Sequence, residues 1–90
     1  MGEVFVHPRV HERHPDITDA DVMVAWDNCI VCVTRLDVNP SDVLAIGSDG
    51  RGRGLEMIAT RTGIDSWIVY HAFTPPTRRF LAEIDHLGRL

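Results

Sequence analysis

VLAIGSDGRGRGLEMIATRTGIDSWIVYHAF, residues 43–73, decides the fold. Three short apolar segments, "VLAIGS", "LEMIATR" and "SWIVYHAF", alternate with two polar, glycine-bearing stretches, "DGRGRG" and "TGID". Runs of this length bounded by glycine and aspartate read as strands, and the glycines supply the positive φ that tight turns demand. Connections this short join only strands that run in opposite directions. The expectation is an antiparallel meander of at least three strands.

Downstream, "TPPTRRFLAEIDHLG" predicts a closing helix. Thr74 is the expected N-cap, with Pro75 or Pro76 in the first turn, where a missing N–H costs nothing. Phe80, Leu81, Ile84 and Leu87 form its apolar side, and Gly88 is a natural stop. Upstream, "EVFVHP" reads as an edge strand or extended arm ended by Pro8, and "RVHERH" as a turn and a half of helix before Pro15. Thr18 with Asp21 is a capping-box start, after which Val22, Ala25, Trp26, Cys29 and Val33 recur at helical spacing. That helix ends between Asn28 and Arg35, because the β-branched "IVCVT" can equally run extended. The expected architecture is α+β, a single domain over residues 1–90: N-terminal helices, a small antiparallel sheet, and a C-terminal helix. Both longer helices are expected on one face, with Trp26 and Leu81 mostly buried.

Composition narrows the function classes. The net charge of −4 argues against indiscriminate nucleic-acid binding. It hides an asymmetry, since residues 1–50 carry −6 and residues 51–90 carry +2. All nine basic residues are arginine, which suits bidentate phosphate contacts and is also what a GC-rich coding bias produces. No apolar run approaches the roughly 20 residues that span a bilayer. The N-terminal residues lack a charged-then-apolar signal pattern, so a cytoplasmic location without membrane contact is expected.

The basic residues point to one seam. Arg51 and Arg53 sit in the first hairpin turn, His71 near the end of the third strand, and Arg78 and Arg79 at the start of the last helix. Antiparallel pairing puts Arg53 and His71 at the same end of the sheet, beside a helix N-terminus suited to an oxyanion. Guanidiniums stabilise charge developing on a phosphate, and an imidazole moves protons near neutral pH. Structural readings compete with this one. His71 alternates with Val69 and Phe73, as a hydrogen-bonded core histidine does; Arg78 and Arg79 can pair with Glu83 on a solvated helix face.

Two further groups are weaker. Cys29 and Cys32 form a lone CxxC without the second pair a structural zinc site needs, so they read as two buried, unligated thiols. His7, His11 and His14 share a helical face, but no acidic partner stands in register, so a surface cluster is expected and no metal or cofactor.

The segment "AIGSDGRGRGLEMIATRTGIDSWIVYHAFTPPTRRFLAEI" resembles BrnT-type toxins of the RelE-like ribonuclease superfamily. The resemblance is carried by Gly52–Arg53, the strands "LEMIA" and "WIVYHA", and Thr77–Arg78–Arg79 leading into a short helix. More weakly, "HPRVHERHPDITDADV" matches the family's lead-in to a capped helix. It implies a RelE-like fold and metal-independent RNA cleavage by 2′-oxygen attack. On the reading of the seam itself, His71 is the acid or base, Arg53 and Arg78 hold the scissile phosphate, and Arg51 and Arg79 position RNA; His71 stands where relatives often carry a small residue. RNA or the ribosome and an antitoxin protein are the implied partners, and a second copy of the chain is a further candidate partner. A non-catalytic binding module on the same scaffold is the alternative, favoured by the acidity of the chain.

Overall fold

The structure, a computed structural model, describes residues 3–90. In chain order the elements are β1 (Glu3–Val6), α1 (Arg9–Arg13), α2 (Asp19–Asp27), β2 (Cys29–Thr34), β3 (Asp42–Ser48), β4 (Gly54–Gly63), β5 (Ser66–Phe73) and α3 (Arg78–Leu87). The class is α+β, with one five-stranded sheet in the order β1-β5-β4-β3-β2.

Strands β2 to β5 form the expected antiparallel meander. The sheet is nevertheless mixed, because β1 lies parallel to β5, with Val4 opposite Trp67 and Val6 opposite Val69. No hairpin dictates that direction. Two helices separate β1 from β2, and a connection of that length reaches the far edge of a sheet in either sense. The capping box at Thr18 forms as read: the Thr18 hydroxyl accepts from the Asp21 N–H, and the Asp21 carboxylate accepts from the Thr18 N–H. The helix ends at Asp27, so Cys29 and Val33 leave the helical stripe and become strand residues.

The helices do not share a face. Val43, Ala45, Leu55, Met57 and Ala59 pack with Val10, Val22, Ala25 and Trp26 under α1 and α2. Leu44 packs on the opposite side with Phe80 and Leu87 of α3, joined by Val33, Ile46, Ile58 and Ile84. The sequence carries the reason, since "VLAI" in β3 is a continuous apolar run, and a strand buried on both faces reads that way. The expected burial of Trp26 holds, at 1% exposed, but Leu81 is 46% exposed. Phe80, Ile84 and Leu87 supply the inward ridge of α3 at i, i+4 and i+7, which leaves Leu81 one position around the helix. The N-cap of α3 is Thr77, whose hydroxyl accepts from the Phe80 N–H, while Thr74 Oγ1 donates to the Gly54 carbonyl at 2.6 Å.

Two irregularities in the ladders set the rest of the molecule. In β5, His71 opposes Ile58 and Val69 opposes Ala59, so Tyr70 is an extra residue, a β-bulge. In β2, Cys29 opposes Gly47 and Val31 opposes Ile46, so Ile30 is extra. Beside the second bulge, α2 rides close on β3: a Cβ built on Gly47 would lie 1.8 Å from the Ala25 carbonyl oxygen.

Candidate functional site

A cavity of about 410 Å³ opens on the α3 side of the sheet, lined by Arg35, Glu56, Ile58, His71, Thr77, Arg79, Phe80 and Glu83. Its floor is β4 and β5, one wall is the first turns of α3, and Arg35 closes the β2 side. The Tyr70 bulge puts His71 there. Strict alternation would have placed His71 on the face of Val69; the extra residue moves it to the opposite face, beside Ile58. The core-histidine expectation therefore gives way to a histidine 29% exposed at its side chain.

Glu56 holds the site together. It is 4% exposed within the otherwise apolar run of residues 55–59 in β4, and a buried carboxylate is tolerated only where it is well hydrogen-bonded. One oxygen lies 2.7 Å from His71 Nε2. The other accepts from the Thr77 N–H at 2.7 Å and the Thr77 hydroxyl at 2.9 Å. Glu56 thereby fixes the imidazole and the start of α3 with one side chain. With Nε2–H donated to the carboxylate, Nδ1 is left as the acceptor nitrogen.

The rest of the cavity carries the Arg35–Glu83 ion pair, and a second polar pair that does not line the cavity stands near Arg35. Arg35 donates Nε and Nη2 to the two Glu83 oxygens at 2.6 and 3.1 Å, which raises the affinity of its guanidinium for the proton. The Tyr70 hydroxyl donates to Asp42 Oδ2 at 2.6 Å. Burial first, and then that carboxylate, push the Tyr70 hydroxyl up to about 12.

The sequence-predicted residues divide. His71 and Arg79 meet in the cavity. Arg78 lies on the exposed side of the first turn of α3 and does not line it. Arg51 and Arg53 stay at the hairpin and turn to the other side of the sheet. Arg53 bonds Asp49 through Nε at 2.7 Å and Asp21 and Asp16 through its terminal nitrogens at 3.1 and 3.3 Å. Arg51 bonds the same Asp21 oxygen at 2.6 Å and the Asp16 carbonyl at 2.7 Å. Burial would raise the Asp21 carboxyl, but the Thr18 N–H and the Arg51 guanidinium outweigh it and hold it down at about 2. The two arginines pin the β3–β4 turn to the N-terminus of α2. Glu83, expected as a partner for Arg78 or Arg79, instead serves Arg35.

Of the cavity residues that sequence reasoning missed, Glu56 left a signal: an acid inside "LEMIA" must find a partner. Arg35 and Glu83 left none, being 48 positions apart. The N-terminal histidines each take a different partner. His11 places Nδ1 on the Ile17 carbonyl and Nε2 on Asp19, His14 packs its ring at a tilt against Phe73, and His7 accepts from the Arg9 N–H. Among the described residues no group of three or more His, Cys, Asp or Glu is arranged to hold a metal ion, and no helix is long and apolar enough to cross a membrane.

Comparison with protein-family models, curated proteins and solved structures gives no match for the chain.

Proposed function

We propose that the chain is a RelE-like domain whose α3-side cavity cleaves RNA without a metal, and that His71 is its base. The observation that carries this reading is the Glu56–His71 pair at 2.7 Å on the floor of a cavity rimmed by Arg79. A carboxylate-oriented imidazole is suited to take a proton, and a guanidinium at a helix N-terminus is suited to hold a phosphodiester. In the proposed step, His71 Nδ1 takes the 2′-hydroxyl proton as the oxygen attacks the adjacent phosphorus. The 5′-oxygen leaves with a proton from solvent, and Arg79 offsets the charge on the phosphoryl oxygens. RNA or the ribosome is the substrate side of this reading, and an antitoxin covering the cavity is its partner. Arg53 and Arg51 take a structural role, and Arg78 a peripheral contact to RNA.

The test is cleavage of structured, free and ribosome-bound RNA by the purified chain. His71→Ala should lose about 10²–10⁴ in rate and Arg79→Ala about 10²–10³, with both variants still folding cooperatively. Absence of cleavage by the wild type on all three substrates overturns the enzymatic reading. The alternative, a non-catalytic binding module, draws on one observation: Arg51 and Arg53 already spend their charge on Asp16, Asp21 and Asp49.

A further inference from the structure

Strand β2 carries a constellation that the cavity does not use. Cys29 and Cys32 are three positions apart, and in a regular strand they would point to opposite faces. The bulge at Ile30 resets the alternation. Cys29 opposes Gly47 and Cys32 opposes Ala45. Directly paired residues share a face, and Gly47 and Ala45 are two positions apart, so both thiols stand on one side of the sheet as neighbours. Ile30 itself is pushed out, 80% exposed.

The surroundings leave this pair open. The sheet ends at β2. Cys32 is exposed and Cys29 half-buried, which corrects the expectation of two buried thiols. Cys29 Sγ donates to the Val31 carbonyl at 2.9 Å, which leans it along the strand toward Cys32.

Ligand number and spacing decide what such a pair takes. A closed tetrahedral zinc site wants four ligands, and among the described residues no third His, Cys, Asp or Glu joins the two thiols. Same-face neighbours on a strand stand about 6.6 Å apart at Cα. A cation between two sulfurs, at metal–thiolate bonds of about 2.3 Å each, spans up to roughly 4.6 Å, within reach of side chains so placed. A direct S–S bond of about 2 Å would hold the Cα pair near the upper limit of disulfide geometry. We propose that Cys29 and Cys32 form a two-thiolate clamp for a soft monovalent cation of the Cu(I) type, separate from the α3-side cavity. Binding releases both thiol protons: one M⁺ and two S–H groups give a bis-thiolate complex of charge −1 and two H⁺, so capture strengthens as pH rises.

The experiment is an anaerobic titration of the whole chain with Cu(I), in competition with a chromogenic Cu(I) chelator. The wild type should withdraw one equivalent per chain, with a sulfur-to-copper charge-transfer band in the ultraviolet. Cys32→Ser, at an exposed position, should fold normally and lose the capture; Cys29→Ser should lose it as well. His71→Ala should retain it, which separates this site from the cavity. The proposal is overturned if the wild type leaves all Cu(I) with the chelator, or if Cys32→Ser captures as much as the wild type. Stoichiometric Zn(II) held as tightly as Cu(I) overturns it too.

Discussion

Glu56 and His71 are diagonal neighbours: Glu56 opposes Phe73 and His71 opposes Ile58, yet Oε2 and Nε2 meet at 2.7 Å. Diagonal reach of this kind needs a long side chain, and Glu56 spans it while also bonding Thr77. Glu56→Ala should therefore lower stability by about 2–4 kcal/mol, because it strips partners from His71 and from the start of α3. Glu56→Asp, one methylene short, should fail to recover both contacts. Chemical denaturation of the two variants checks this, and a loss below about 0.5 kcal/mol for Glu56→Ala would contradict it.

Gly47 should be intolerant of any side chain. A Cβ there would meet the Ala25 carbonyl at 1.8 Å, and the obstacle is backbone, so α2 would have to lift from β3. Gly47→Ala should cost about 3 kcal/mol or more and lower the thermal midpoint accordingly. Gly50→Ala, where an added Cβ meets nothing within 4 Å, is the control and should be near neutral.

Stability should fall at both ends of the pH range, for separate reasons. The Asp21 carboxyl titrates at about 2 in the folded protein against an ordinary 3.8, so the folded state binds that proton more weakly. Its contribution is complete above about pH 4 and is lost as pH falls toward 2. His11 has the opposite sign. The Ile17 carbonyl, and then Asp19, raise it above 6.5, so its contribution is complete below that value and is lost as pH rises through its folded value. Denaturant midpoints measured across pH should show an alkaline decline that His11→Gln removes and an acid decline that it leaves in place.

Arg35 should become available for anions when Glu83 is removed. Their bidentate pair is about a quarter exposed, so breaking it should cost about 1 kcal/mol of stability while making the cavity more positive. If RNA enters there, Glu83→Gln should bind it more tightly at low salt, with the log–log salt slope steeper by about one unit. Unchanged RNA affinity would place RNA elsewhere on the surface.

The meander was legible because its evidence is local: apolar runs, glycine turns and a capping box each lie within a few residues of one another. The faces were harder. The position of α3 depended on reading "VLAI" as a strand buried on both sides, and His71's environment depended on an extra residue at Tyr70 that no sequence pattern marks. Arg53 shows a second kind of failure. Its place at the hairpin was correct, but the acids that claim it, Asp16 and Asp21, lie in a segment whose packing against the turn is set by tertiary structure. His71 and Arg79 were recoverable because a strand end and the following helix start are close in the chain.

The parallel pairing of β1 with β5 ties the fold to the order in which the chain is made. Val4 and Val6 are synthesised more than sixty positions ahead of their sheet partners Trp67 and Val69. Until those residues emerge, β1 has no neighbour and the meander lacks one edge. Contacts that join distant parts of a chain form slowly, and unpaired strands invite association in the interval. A nascent chain stalled before Ser66 should therefore remain protease-sensitive at its β1 segment, and protection should arrive in one step once β5 has cleared the exit tunnel.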